Sequence, residues 1–313
     1  HDGFVDSNGV LHGNIYIKGN GDPTLGSKYF LKTGENQSEF LKKWITKIKE
    51  FGITKINGSI IGDATVFDQS MIPSSWMWGD MGNYYGAGAS GLSVYDNLMT
   101  IEFKSGKNNG DSTFITCISP FLANLTFDNQ VKASKINRDR AYVFASPYNT
   151  NYKITGTIPK DREEFKVKGI IYDPAFQIAN DLEYYLVQNG IEIQKGSKTI
   201  RRIKLVGDSI IYKRKTIHTH ISPTVGEITY YTNHKSVNLY AEHLFNSVGN
   251  KRSKYGSNYT GKLAVKFFWS KKINTSGLHI SDGSGMSRMN AVSAEHLTSI
   301  LKYMNTSKNK KSF

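Results

Sequence analysis

In 313 residues there is one cysteine, Cys117. A single thiol excludes an internal disulfide and any cysteine-based zinc cluster. Cys117 lies in the alternating run Phe114-Ile115-Thr116-Cys117-Ile118, which predicts a strand carrying a buried structural thiol; no recognisable histidine partner makes it a nucleophile. No apolar run approaches the roughly 18 residues that span a bilayer, and mean hydropathy is negative. The expectation is a soluble globular polypeptide with no integral membrane segment. Internal repeats and low-complexity linkers are missing as well. The chain starts at His1, in a Gly/Asp/Asn-rich turn and without a signal peptide, which predicts a fragment or processed form and leaves the compartment open.

Acidic residues are scarce beside basic ones, 26 against 40, so the net charge is +14. Such a field speeds encounter with polyanions, whether nucleic acid or anionic cell-wall polymers. No helix-turn-helix, zinc finger or aromatic stacking signature converts it into nucleic-acid recognition. The lysines, including the cluster Lys302, Lys308, Lys310 and Lys311, read as solvated surface, and no nucleic-acid partner is expected.

A chain of this length can bury one large core or two to three smaller ones. Residues 8–19 alternate through Val10, Leu11, Ile15 and Ile17 and predict a strand. Ser38 is placed to cap a helix over 39–51, with Phe40, Leu41, Trp44, Ile45, Ile48 and Phe51 on its apolar face and Gly52 ending it. Short strands are expected near 58–62 and 98–103. Between them runs a Trp/Tyr/Gly/Ser-rich loop, 73–97, of a length that usually carries function. Residues 104–158 read as a small all-β unit without an amphipathic helix. A helix resumes over 174–189, with Pro174 in its first turn and Gly190 as terminator. Strands are expected near 191–194, 202–206 and 209–221, then helices over 224–232, 236–248, 259–269 and 293–304. The polar tail after Asn305 is expected to fray.

The informative motifs come in a fixed order. Gly13-Asn14-Ile15-Tyr16 precedes Gly21-Asp22-Pro23-Thr24-Leu25. Gly62-Asp63, Trp76-Met77-Trp78-Gly79-Asp80, Tyr84-Tyr85-Gly86-Ala87, Ser90-Gly91-Leu92-Ser93 and Asp173-Pro174-Ala175 follow. Last come Ser222-Pro223, Ser236-Val237-Asn238 and Asp282-Gly283-Ser284-Gly285-Met286-Ser287-Arg288. In that order the series resembles the class C low-molecular-mass penicillin-binding proteins, the D-alanyl-D-alanine carboxypeptidases and endopeptidases of the penicillin-binding protein 4 type. The resemblance covers essentially the whole chain. It implies an α+β multi-domain fold: part of a penicillin-binding, serine β-lactamase-like catalytic domain interrupted by nested accessory domains, the inner one mostly β. On that template residues 1–20 and 222–313 are catalytic-domain pieces, 21–103 and 159–221 the two parts of an accessory domain, and 104–158 the nested β unit.

Acyl transfer through serine needs an activated hydroxyl, a base beside it and donors for the oxyanion. The resemblance implies that a Ser-x-x-Lys motif supplies the first two. It assigns Ser236 to that hydrogen-bond network and to proton transfer toward the leaving D-alanine, and Asn238 to the substrate amide. In the family the middle residue of this triplet is often acidic, whereas Val237 stands here. From the residues alone, i and i+2 point to different sides of a helix, so both can face one cleft only from a loop or a helix start. The plain alternative is that Ser236 merely caps the following helix. A Lys-Thr-Gly strand should bind the terminal carboxylate. Neither flanking motif is in place: Ser307-Lys308-Asn309-Lys310 lies in a polar tail with nothing to bury its lysine, and Lys32-Thr33-Gly34 precedes the first helix. The family puts the true motifs upstream of residue 1 and downstream of Phe313.

By the same resemblance Asp80 contacts the free amino group of the stem peptide's third residue, a role that suits a carboxylate facing an ammonium; organising its own turn is the alternative. Asp282, Gly283, Ser284, Gly285 and Arg288 are expected to form a supporting loop, with Arg288 a buried or semi-buried anchor and a ligand role as its alternative. Asp282-Gly-Ser-Gly is no nucleophile elbow, which requires glycine where Asp282 stands. His218 and His220 share one face of an expected strand without a third ligand, and Glu242-His243 lacks the second histidine of a zincin, so no metal or cofactor is expected. The implied activity is that of a serine-type DD-peptidase of the bacterial periplasm or cell envelope. Peptidoglycan stem peptide would be the substrate and β-lactams covalent inhibitors of the complete enzyme, with this chain inactive on its own. A non-catalytic peptidoglycan-binding or scaffold module is the alternative, and the oligomeric state is open.

Overall fold

The computed structural model describes residues 1–308 and 310. Asn309 and 311–313 lie outside the described residues, and with them Lys311 of the basic cluster and one residue of the Ser307–Lys310 match. The fold is α+β, with four small sheets and the helices grouped chiefly toward the C-terminus.

Val10–His12 and Ile15–Lys18 form two strands in place of one continuous strand, because Gly13 and Asn14 break the run. Ile15–Lys18 pairs in parallel with Ile60–Asp63, which pairs in parallel with Lys198–Thr199. Parallel pairing demands long crossovers, and the helices Glu39–Glu50 and Pro174–Gln188 lie within them. Their apolar stripes (Leu41, Ile45, Ile48; Ile178, Leu182, Leu186) fill one large core with Leu11, Ile15 and Ile60. Asp173 caps the second helix by accepting the Phe176 N–H at 3.1 Å. Ser38 sits at the start of the first without a side-chain capping bond; its hydroxyl meets Asn36 and Tyr185 instead.

From Leu98 to Ile170 the chain is strand and turn only. Leu98–Ser105 pairs antiparallel with both Thr113–Ser119 and Phe165–Ile170. Here the reading of Cys117 as a buried thiol is corrected, since it is exposed. Glu102 faces Cys117 and Phe103 faces Ile115, leaving Thr116 as an extra, bulged residue. A one-residue bulge flips the alternation beyond it, so Ile115 and Ile118 pack toward the core and Cys117 turns outward.

Two expected strands are also corrected. Residues 202–206 fall in and just after the helix Ile200–Leu205, capped by Thr199, in which Ile200 and Ile203 recur at helical spacing and are buried. Residues 209–221 form no strand. They run as an irregular strap, fixed where Arg214 bonds Asp63 at 2.6 Å and where Lys215 exchanges two backbone bonds with His1. The last four helices are Val225–Lys235, Asn238–Asn250, Asn258–Ser270 and Ala294–Thr306. No described helix is long and apolar enough to cross a membrane.

Candidate active site

The helix Asn238–Asn250 is the element on which the site is built. An isolated amphipathic helix would bury only apolar residues; this one also buries Tyr240, Glu242, His243 and Asn246. Buried polar groups are costly unless satisfied, and three of these four find partners on surrounding loops.

His243 is sealed from solvent. Its Nδ1 lies 2.8 Å from the Gly21 carbonyl and its Nε2 2.9 Å from the Ser93 hydroxyl. A carbonyl can only accept, so Nδ1 carries the proton, and because burial disfavours the charged ring Nε2 is left to accept from Ser93. Burial drives its pKa down to about 4. Tyr240 reaches Ser27 at 2.5 Å and Asp96 at 3.1 Å. Glu242 accepts the backbone N–H groups of Gly283 at 2.9 Å and Ser284 at 2.7 Å. Burial lifts its carboxyl to about 7, opposed by the hydrogen bonds from the Ser284 region and reinforced by Asp282.

The loop 282–288 is organised by Asp282, which accepts from Gly285 N–H, Asn290 Nδ2, Ser287 N–H and, at 2.8 Å, the Trp76 indole. Gly283 packs so closely that a Cβ there would stand 2.6 Å from the Ala241 carbonyl. Ser284 contributes its backbone N–H to this clamp. Arg288 is exposed and makes no ion pair among the described residues, which corrects its reading as a buried anchor: it lies past the clamped turn and faces solvent.

Ser236 does not cap the helix it precedes. It occupies the left-handed region (φ 52°) and ends Val225–Lys235, its N–H donating to the Thr232 carbonyl; Val237 takes the N-cap position of the next helix. Left-handed backbone at a residue other than glycine is uncommon and marks a position held by its surroundings. The kink leaves Ser236 exposed and puts Asn238 in the first turn, whose Nδ2 donates to the Tyr85 carbonyl at 2.9 Å. The Tyr85 hydroxyl in turn donates to Asp80 Oδ1 at 3.1 Å. Asp80 lies in the single turn Trp78–Met81, and a Cβ on Gly86 would stand 2.1 Å from its carbonyl, so the loop folds tightly there. Asn238, Tyr85 and Asp80 are thus one connected chain of contacts, rimmed by the exposed rings of Trp78 and Tyr84. Sequence reasoning named Asp80 and Asn238 but missed Tyr85, which joins them, and the supporting Tyr240, Glu242 and His243. Polar residues at the buried positions of a helix were the available signal.

His218 and His220 lie on the irregular strap, not on a strand face, and no cluster of three His, Cys, Asp or Glu side chains fit for a metal occurs among the described residues. Lys32-Thr33-Gly34 is an exposed turn.

This geometry belongs to a known architecture. The crystal structure of penicillin binding protein 4 (dacB) from Haemophilus influenzae superposes with a TM-score of 0.78 at 23% identity, covering 99% of this chain and 64% of that one. A second structure of that protein, complexed with a novel β-lactam, gives a TM-score of 0.71. The H. influenzae D-alanyl-D-alanine carboxypeptidase DacB is 26% identical over 310 residues, 95% of this chain and 58% of its own length. The D-alanyl-D-alanine carboxypeptidase of Actinomadura sp. (strain R39) is 24% identical over 295 residues, 52% of its length. The fold and the sequence together define a class of peptidase. Residues 2–313 match the model of the D-Ala-D-Ala carboxypeptidase 3 (S13) family, and the chain belongs to that family. It spans about half the length of the curated relatives it matches.

Proposed function

We propose that this chain is the part of a serine-type DD-peptidase that receives the peptidoglycan stem peptide, in an enzyme of the bacterial cell envelope working through an acyl-enzyme. The observation that carries the reading is the linked set Asn238–Tyr85–Asp80 beside the exposed, left-handed Ser236. Anchoring the Asn238 Nδ2 on a backbone carbonyl fixes the amide plane, so Oδ1 is left to accept from a substrate N–H. The Asp80 carboxylate, one lone pair of which is taken by Tyr85, keeps capacity for an ammonium on the third residue of the stem. Ser236, with no hydrogen-bond partner for its hydroxyl among the described residues, is presented to a nucleophile and lysine supplied from outside this span. A Lys-Thr-Gly strand, also from outside it, would hold the terminal carboxylate. Cleavage of cross-links as well as terminal D-Ala–D-Ala bonds, and covalent capture of β-lactams by the complete enzyme, belong to the same reading.

In the full-length protein Ser236→Ala should lower turnover of a D-Ala–D-Ala peptide by about 100-fold or more with the fold intact, the usual cost of a lost proton-transfer partner. Near-normal turnover would remove Ser236 from the mechanism. Asp80→Asn should weaken hydrolysis of peptides bearing a free amine on the third residue and spare acylation by simple β-lactams. Equal loss on both would reassign Asp80.

A further inference from the structure

A second cavity, of about 900 Å3, opens between the helix Pro174–Gln188, the turn 36–38 and the segment 119–121 that follows a strand. Its volume is in the range of small-molecule sites. The lining is unlike the rest of a chain that carries +14: it holds two carboxylates and no lysine or arginine. Glu183 is already committed to the N–H and hydroxyl of Ser197. Asp181 is not. Its Oδ1 is held by the Gln177 amide at 2.8 Å, and the same amide nitrogen donates to the Phe121 carbonyl at 3.0 Å, so the carboxylate is fixed in direction. Its Oδ2 is buried and faces the Tyr95 hydroxyl, which stops short of hydrogen-bond geometry, so it is left without a full partner. Tyr95, Tyr184 and Tyr185 provide ring faces around it, and Phe121, largely exposed, forms the lip.

From this arrangement we propose that the cavity is a binding site for an organic ammonium, a primary amine on an aliphatic chain, with Asp181 as its counter-ion and the tyrosine rings as its walls. A buried acceptor without a full partner calls for a donor, and aromatic faces favour a cation over a neutral group of the same shape. Other ligand classes fit less well. A divalent cation wants six or more oxygens, and one free carboxylate supplies too few. A saccharide would draw on the side-chain amides of the wall, where Gln37 already donates to the Gly26 carbonyl and the Asn36 oxygen accepts from Ser38, which leaves chiefly Asn180. The site does not depend on the catalytic reading above.

Burial lifts the Asp181 carboxyl to about 6, with Tyr95 and Gln177 opposing. The titratable group facing it is the hydroxyl of Tyr95, from the turn before Leu98; Glu183, Tyr184 and Tyr185 of its own helix line the same cavity. The turn 36–38 and the segment 119–121 bring no ionisable side chain. Only the ionised carboxylate pairs with an ammonium, so affinity should fall as pH drops through about 6.

The test is calorimetric titration of the 313-residue chain with 1,5-diaminopentane at pH 7.5 and low salt, beside the neutral 1,5-pentanediol. Saturable one-to-one binding of the diamine, about tenfold or more tighter than the diol, is expected. Asp181→Asn should lose about tenfold, and the same loss should appear in the parent at pH 5. Tyr184→Ala, at an exposed position, should weaken binding without disturbing the core and serves if Asp181→Asn fails to fold. Equal affinity for diamine and diol, or diamine binding untouched by Asp181→Asn and Tyr184→Ala, would overturn the proposal. So would tight binding of tri-N-acetylchitotriose indifferent to Asp181.

Discussion

The first two-thirds of the molecule and its last four helices are held together by different means. The first part, from Leu11 to Ile191, shares one continuous apolar core into which Ile56, Ile60, Phe103, Ile154 and Leu186 are fully buried. Among the described residues the helical part has a small apolar cluster around Ile228, Leu239 and Tyr240, onto which Tyr29 and Phe30 of the first part pack. Large apolar side chains there face solvent: Leu263, Phe267 and Phe268 on one helix, Leu297 and Leu301 on another. Single exposed hydrophobes need no explanation, but contiguous helix faces of this kind mark surfaces that pack on something. The comparison teaches that the first part is a self-sufficient body. The second is positioned on it by a few buried hydrogen bonds and by a narrow aromatic seam in which Tyr29 and Phe30 meet Tyr231 and Tyr240.

The largest expected effect follows directly. Ile154→Ala in the first body should cost about 2–5 kcal/mol, the transfer and cavity terms together. Leu297→Ala, at a half-exposed site, should stay within about 0.5 kcal/mol. Urea denaturation of both variants measures the contrast, and comparable losses would mean that the C-terminal helices share the main core.

Next in size is the joint between the two parts. Tyr95, Asp96 and Asn97 are three consecutive non-glycine residues in the left-handed region (φ 57°, 58° and 53°). That conformation costs roughly 1–2 kcal/mol per residue, so something must hold it. Asn97 accepts the Val94 N–H and donates to the Gly88 carbonyl, while Asp96 receives the Tyr240 hydroxyl. Tyr240→Phe removes that bond and the one to Ser27, and leaves Asp96, whose pKa burial has already raised, with Ser27 and the Lys28 backbone as its remaining partners. A loss of about 1–3 kcal/mol is expected, together with increased amide hydrogen exchange at 94–98. Protection unchanged at those amides would show that the turn stands without the helix.

The same contrast explains what could be read in advance. The body was legible because its elements follow simple periods: Leu41, Ile45 and Ile48 announce one helix, Asp173-Pro174 the start of another. Failures came where a local device overrode the period. One bulged residue, Thr116, put Cys117 outside; two isoleucines three apart turned an expected strand at 202–206 into a helix. For the candidate site, motif order singled out Ser236, Asn238 and Asp80 as expectations, but motif order says nothing of which loop touches which helix. Tyr85, Tyr240 and His243 take their meaning from partners 144 or more residues away, and Arg288 had no pattern to show that it faced outward.

The sharpest test of how the helix is held is the pH dependence of stability, whose net effect in the parent is small. Glu242 and His243 are adjacent, both buried, and shifted in opposite senses, to about 7 from 4.5 and to about 4 from 6.5. For Glu242 the folded carboxyl keeps its proton while the unfolded one releases it, so its contribution is complete below pH 4.5 and declines as pH rises toward 7. For His243 the unfolded ring takes a proton that the folded ring refuses, so its contribution is complete above pH 6.5 and declines as pH falls toward 4. Between 4.5 and 6.5 the two slopes oppose and largely cancel. Glu242→Gln keeps an oxygen for the Gly283 and Ser284 N–H groups and removes one slope. Relative to the parent, the variant should gain stability progressively above pH 4.5, by roughly 2–3 kcal/mol at pH 8, and match it at pH 4. Its own stability should then fall more steeply than the parent's on acidification from 6.5, as the histidine acts unopposed. Thermal unfolding from pH 4 to 8 reads this as a difference in Tm that widens with pH. Parallel curves would mean that Glu242 ionises in the folded protein much as it does in water, and that its two backbone contacts hold the 282–288 loop as an ordinary carboxylate.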